Sequence, residues 1–217
     1  FSKLIHEKFD HVDVLINNAG IYKFDGKIRR TNDGFEEHMG VNHLNPFLLT
    51  LLLLDLLAKS ERSRIVCVAS TISLLQEFNV NDLNMENFKK FGIYAPYSNS
   101  KMANILFMRE LARRLGENSN INCYAICPGM VNIERAEDQA FFKRFFFNLS
   151  KCWGFLDLEN GCLNTLHCTL SKSLDHESGK MYRFLDVWDI DKKLDVSLAE
   201  QLFDKSEELV GQKFQKP

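Results

Sequence analysis

Residues 12–20 read V-D-V-L-I-N-N-A-G, and this stretch decides the architecture. A short apolar run, Val12 to Asn17, stops at Asn17-Asn18-Ala19-Gly20, the pattern of a buried strand delivered into a turn. Two more such runs follow. Arg64 to Ala69 (R-I-V-C-V-A) is β-branched and apolar, and Ile121 to Ile126 is stopped by Cys127-Pro128-Gly129. Continuous rather than alternating apolar character means burial on both faces, which belongs to a parallel sheet covered by helices.

The segments between these runs supply the helices. Thr31 to Leu57 carries apolar residues at helical spacing and late leucine enrichment, read as one long helix. Tyr97 to Leu115 is helical and ends at Gly116, a suitable left-handed C-cap. Leu156 to Leu170 reads as a helix and Lys180 to Phe184 as a short strand after Ser178-Gly179. An amphipathic helix at Ser197 to Val210 closes the chain, and Phe1 to Phe9 opens it as a helix. With no repeats or linkers, residues 1–217 read as a single partial α/β domain, Rossmann-like with a doubly wound parallel sheet.

Composition narrows the function. The 217 residues can bury one sizeable core, and their 45% apolar content is that of an ordinary globular protein. A formal charge of -2 argues against a nucleic-acid partner, since phosphate neutralisation needs a Lys/Arg excess. It leaves room for a local site for one nucleotide. Cys67, Cys123, Cys127, Cys152, Cys162 and Cys168 form no C-x-x-C pair and fit buried or semi-buried free thiols in a reducing compartment. His6, His38, His43 and His167 lack metal-ligand spacing, so no metal is expected. No signal-peptide pattern opens the chain, and no apolar run reaches the ~18–20 residues of a membrane span. The longest, Phe47 to Leu57, is interrupted by Asp55.

The strongest chemical signal is Tyr97-Ser98-Asn99-Ser100-Lys101. A spacing of four on a helix puts the phenol and the ammonium on one face. A free phenol, with a pKa of about 10, exchanges protons poorly at neutral pH, and a neighbouring cation lowers it. Alone the pair reads as a solvated helix contact; its context makes it chemical. Ser70 lies just past the second strand, at the ligand-facing end of a parallel sheet, where its hydroxyl can bond an oxygen that gains charge. Asn17-Asn18-Ala19-Gly20 ends the first strand at the same edge. Asn42 is an amide in a leucine-rich helix; it needs partners, and could hold a water near a lysine as a proton relay. Pro128-Gly129 lets backbone approach a flat ligand closely.

In this order and spacing, Asn17-Asn18-Ala19-Gly20, Val41-Asn42-His43-Leu44, Ser70, Tyr97-x-x-x-Lys101 and Pro128-Gly129 resemble the short-chain dehydrogenases/reductases, from about His11 to the end. Asp33-Gly34-Phe35-Glu36, Phe47-Leu48-Leu49-Thr50, Arg109 to Leu115, Leu166-His167-Cys168, Ser178-Gly179-Lys180 and the long gap from Ser70 to Tyr97 resemble the retinol dehydrogenase branch. The resemblance implies an oxidoreductase that moves a hydride between NAD(P)(H) and an apolar, retinoid- or steroid-like alcohol/carbonyl pair. It implies Tyr97 as general acid/base, Ser70 steadying the reacting oxygen, and Lys101 lowering the Tyr97 pKa and bonding the nicotinamide ribose. Asn42 would hold the relay water, Asn17, Ala19 and Gly20 the adenosine side, and Pro128, Gly129 and Val131 the nicotinamide. It also implies NADP(H) ahead of NAD(H). The chain leaves room for a homo-oligomer and for membrane-surface association, and the expected location is intracellular, cytoplasmic or endoplasmic-reticulum-associated.

Three departures accompany the resemblance. The family's first strand, glycine-rich T-G-x-x-x-G-x-G turn and pyrophosphate-binding helix have no counterpart before Asn17. The expectation is therefore a missing β-α-β-α-β portion, on the order of 70–90 residues. Asn45-Pro46 stands where the family has glycine and a bulky residue, and a proline inside a helix costs about 3 kcal/mol unless the helix already breaks there. Ile133 replaces a usual Thr or Ser. Phe141, Phe142, Phe145, Phe146 and Phe147, interleaved with Lys143 and Arg144, read either as a lid suited to an apolar substrate and a membrane surface, or as a helix packing its own core. The missing phosphate turn leaves a second reading open, a short non-catalytic partner that associates through its long helices.

Overall fold

The computed structural model describes residues 1–25, 27–75, 77–86, 92–129, 131, 156–190 and 195–217. In chain order the elements are α1 (Ser2–Lys8), β1 (Val14–Asn17), α2 (Glu37–Ala58), β2 (Ser63–Val68), α3 (Ala95–Leu115), β3 (Ile121–Cys127), α4 (Leu158–Leu170), β4 (Met181–Arg183), β5 (Asp186–Val187) and α5 (Val196–Val210). The sheet runs β1-β2-β3-β4-β5. Its first four strands are parallel, and β5 returns antiparallel along β4.

Both faces of the sheet are covered, as the continuous apolar runs require. Ile65, Cys67, Ile121, Cys123, Ala125 and Cys127 point into one core with α2, α3 and α5. Val66, Val68, Tyr124 and Ile126 point the other way, against Cys168 of α4, Leu174 and Tyr182. This is the expected Rossmann-like α/β arrangement, wound in one direction from β1 and closed by a hairpin. The second face is thinner: Ile16 and the outer leucines Leu158, Leu163, Leu166 and Leu170 are exposed.

The long helix starts later than its apolar spacing suggested. Residues 31–35 close a turn instead, with Thr31 N–H donating to Phe35 O at 2.8 Å and Gly34 at a positive φ of 85°. Glu36 then caps the helix, its buried carboxylate accepting from the His38 and Met39 backbone N–H groups. Acidic capping at an N-terminus satisfies donors that have no intrahelical partner.

Pro46 explains the next irregularity. Gly40–Leu44 form a π turn in which Asn45 N–H donates to Gly40 O, so the α register restarts immediately before the proline. The missing N–H of Pro46 thereby falls in the first turn of the restarted helix, where it is tolerated. The π turn also carries Asn42, and such turns recur at functional sites.

By length and composition α2 could cross a bilayer, with a mean hydropathy of 1.5 over its most apolar window, which the shorter run Phe47 to Leu57 did not reveal. Its apolar residues instead fill the core. Phe47, Leu53, Leu54, Leu56 and Leu57 are buried, and Phe47 packs on Phe107 of α3 and Phe203 of α5 at 4.8 and 5.0 Å between ring centres.

The thiols of Cys67, Cys123 and Cys168 are buried, and burial pushes each up to about 12. Cys162 departs from that expectation and is exposed. Cys152, Ile133 and the phenylalanine cluster 141–147 lie outside the described residues.

Candidate active site

The carboxyl ends of β1, β2 and β3 converge, and the expected chemical residues gather around them. Ser70 follows β2 after one residue, and Tyr97 and Lys101 enter from the first turns of α3. The start of α3 is fastened beside Ser70, because Ser98 Oγ donates to Ile72 O at 2.8 Å. The Ser70 hydroxyl lies beside the Tyr97 phenol and favours its charged form, and the Lys101 ammonium lies 5.6 Å from the Tyr97 ring centre. The spacing of four has placed both on one face, as predicted.

The electrostatics differ from expectation. Burial pushes the Tyr97 phenol up to about 12, and the Ser70 hydroxyl only partly opposes it. Burial also lowers the Lys101 ammonium below its usual value. Lys101 is turned toward the sheet, donating to Val68 O at 2.9 Å. Desolvation, which disfavours both charged forms, therefore moves the Tyr97 pKa opposite to the lowering anticipated from the Tyr/Lys pair.

Asn42 is buried and fully engaged on its donor side. Its Nδ2 donates to Ile21 O and to Ser100 Oγ, both at 3.0 Å, while its Oδ1 accepts from Ile21 N–H at 2.7 Å. A relay water at this amide would find one acceptor site and, among the described residues, no free donor. Asn17 likewise turns inward, donating to Thr50 Oγ1 at 3.0 Å, and so ties β1 to α2. Asn18, Ala19 and Gly20 stay exposed at the edge.

A Cβ on Gly20 would come within 2.9 Å of Asn42 Oδ1 and 3.5 Å of Lys101 Nζ. Gly20→Ala is therefore expected to displace the Asn42 amide and to lower stability by about 1–2 kcal/mol. A shift of the urea midpoint at unchanged m-value would register it; an unshifted midpoint would show that the loop yields freely.

On the third strand, Gly129 takes a positive φ of 83°, which bends the chain sharply after Pro128. Val131 bridges Leu156 and packs its methyls on Gly161 of α4. Its side chain packs toward α4, and the Pro128-Gly129 turn follows directly after Cys127 at the end of β3.

Composition had not disclosed an aromatic collar. The chain after Gly20 is bolted to α2 at alternate residues: Asn42 holds Ile21, and His38 Nε2 accepts Lys23 N–H at 3.0 Å. Buried His38 is oriented in turn by Glu36, its Nδ1 donating to Oε1 at 2.9 Å. Alternation sends Tyr22 and Phe24 the other way, toward Tyr97, at 6.4 and 5.5 Å between ring centres. Tyr94 adds a third ring 5.0 Å from Phe24. These three side chains are 44%, 38% and 45% exposed, so their faces are open to a ligand. The aromatic alternation at 22 and 24 was a readable signal; the His38 anchor was not, since a lone histidine on a helix has no diagnostic spacing.

The residues suit the nicotinamide half of a dinucleotide. Lys101 carries three N–H donors, and among the described residues one is satisfied, by Val68 O. The exposed Asn-Asn-Ala-Gly backbone and the Pro-Gly turn flank the same edge, where parallel sheets take such ligands.

The family model for short chain dehydrogenases matches residues 1–140. The chain belongs to the short-chain dehydrogenase family. Within that family it is 40% identical to retinol dehydrogenase 14 of Mus musculus over 215 residues, covering 97% of this chain and 63% of the relative. It is 37% identical to retinol dehydrogenase 11 of Homo sapiens, covering 97% of this chain and 64% of the relative. The chain thus spans less than two thirds of the length of these relatives. A crystal structure of a Mycobacterium paratuberculosis protein superposes with a TM-score of 0.71 at 29% identity, covering 99% of this chain and 72% of that one. A Salmonella enterica short chain dehydrogenase, at 18% identity, shares the fold with a TM-score of 0.58 over 83% of this chain and 65% of its own.

Proposed function

We propose that this short-chain dehydrogenase chain carries the catalytic residues of an NAD(P)-dependent oxidoreductase acting on an apolar alcohol/carbonyl pair. The observation that carries the reading is the Tyr97 phenol, beside the Ser70 hydroxyl and with the Lys101 ammonium 5.6 Å from its ring centre, at the carboxyl edge of a parallel sheet. The nicotinamide, when bound, supplies or accepts the hydride. Tyr97 delivers or removes the proton at the substrate oxygen, and Ser70 holds that oxygen by a second hydrogen bond. Lys101, with two further N–H groups, holds the nicotinamide ribose and attracts negative charge on the phenol. Gly20 and the Pro128-Gly129 turn supply close backbone approach on either side.

The collar supports the apolar half of the proposal. Tyr22, Phe24 and Tyr94 offer open ring faces beside Tyr97, suited to a flat conjugated chain such as a retinoid. The likeness to retinol dehydrogenases favours the same substrate, with NADP(H) as the preferred cofactor form. The test uses the full-length protein and follows nicotinamide absorbance with all-trans-retinal, a steroid ketone and a short aldehyde. Turnover of all-trans-retinal with NADPH is expected. Failure with all three, under either nicotinamide, would overturn the proposal.

Phe24→Ala should raise KM for all-trans-retinal about tenfold, the equivalent of about 1.4 kcal/mol of lost ring contact. KM for a short aldehyde, too small to reach the collar, should change little. Equal changes for both would place the collar outside the substrate path.

A further inference from the structure

Behind Lys101 lies a buried polar chain that the proton-transfer scheme leaves unused. Val68 is the last residue of β2, and its carbonyl takes two side-chain donors: Lys101 Nζ at 2.9 Å and Asn104 Nδ2 at 3.2 Å. Asn104 Oδ1 faces His43 Nδ1 at 3.4 Å, and His43 Nε2 lies 2.9 Å from Ser206 Oγ on α5. Lys101, Asn104, His43 and Ser206 are all buried. Polar groups at such depth cost stability unless hydrogen-bonded, so a core that keeps three of them behind one lysine has a use for their directions.

Counting protons fixes those directions. Asn104 must present its NH2 to the Val68 carbonyl, which turns its oxygen to His43. That oxygen only accepts, and it lies a long 3.4 Å from His43 Nδ1. His43 is neutral, because burial pushes it down to about 4. The Ser206 hydroxyl donates its single proton to Leu202 O at 2.8 Å, so toward the ring it offers a lone pair and accepts from His43 Nε2 at 2.9 Å. A flipped Asn104 would set two oxygens against each other at Val68.

We propose that Asn104 is a positioning residue for Lys101: it shares the Val68 carbonyl with the ammonium and stops Lys101 from settling on that carbonyl alone. The remaining N–H groups of Lys101 then stay directed at the Tyr97 side. The inference rests on the reading of Lys101 as the partner of Tyr97.

Two measurements on the full-length protein decide it. In lysine 13Cε spectra, with the signal assigned by Lys101→Met, Asn104→Leu should raise the Lys101 titration midpoint by about one pH unit, a tenfold gain in proton affinity. The groups facing Lys101 are the Tyr97 phenol of α3 and the Cys67 and Cys127 thiols of β2 and β3, all retained in this variant. An unmoved or lowered midpoint would overturn the proposal.

Activity separates positioning from mere structure. Asn104→Leu should displace the alkaline limb of the kcat/KM profile upward by about one unit with substrate KM unchanged. A uniform loss at every pH would point to a structural role and overturn the inference. Should the wild-type protein turn over no alcohol or carbonyl, the proposed function falls, while the lysine spectra still decide the Asn104 arrangement.

Discussion

Replacing Tyr97 with phenylalanine is expected to lower kcat/KM of the full-length enzyme about 10³-fold while leaving nicotinamide and substrate binding within about twofold. A positioned acid/base contributes roughly 10²–10⁴ in rate, and only the phenolic O–H is deleted. The ring, which stacks against Tyr22, Phe24 and the Lys101 ammonium, remains. Ser70 loses a polar neighbour but keeps its hydroxyl for the substrate oxygen. The pH dependence follows from the burial that pushes the Tyr97 phenol up to about 12. At neutral pH the phenol holds its proton, so reduction, which takes a proton from it, proceeds with the required form already present. Oxidation needs the phenolate and should climb with pH through the alkaline range. Stopped-flow measurement of both directions checks this. A Tyr97→Phe enzyme within tenfold of wild type, or an oxidation rate flat from pH 7 to 10, would remove Tyr97 from the proton path.

What the sequence disclosed and what it withheld divide along physical lines. Strands buried on both faces announce themselves, so V-D-V-L-I-N, R-I-V-C-V-A and the run ending at Cys127 each became a parallel strand. Tyr97 and Lys101 were legible because helical spacing is a local rule. The beginning of α2 was not legible from periodicity: Glu36 stops the apolar pattern from reaching back to Thr31 by capping the helix with its own side chain. The π turn was half legible, since Pro46 demanded an irregularity without saying of which kind. Asn42 was recognised as a buried amide needing partners, yet its partners, Ile21 and Ser100, lie 21 and 58 residues away in sequence. Such pairings are set by tertiary packing. The same holds for β5, two residues long, whose place in the sheet depends on β4.

His43 carries the clearest stability prediction. It sits among Phe47 and Phe107, at 5.8 and 5.9 Å between ring centres, and burial pushes its pKa from 6.5 down to about 4. Above pH 6.5 the imidazole is neutral in both the folded and the unfolded chain, so its full contribution to stability is present. Between 6.5 and about 4 the unfolded chain takes up a proton that the folded one refuses, and stability falls as the pH falls. At about 1.4 kcal/mol per unit, the loss reaches about 3 kcal/mol near pH 4. Other groups titrate in the same window. Burial would raise the Glu110 carboxyl, but hydrogen bonds from Arg113 and Arg114 hold it below its ordinary value, and its contribution is also lost on acidification. A comparison with His43→Phe cancels what the two proteins share. The variant, which strands Asn104 Oδ1 and Ser206 Oγ, should be less stable than wild type at pH 7.5, and the gap should close by about 3 kcal/mol on reaching pH 4. Urea unfolding at half-unit pH intervals gives both curves. Parallel curves would mean that His43 protonates as readily in the folded core as in water, and that burial among Phe47 and Phe107 does not hold it neutral.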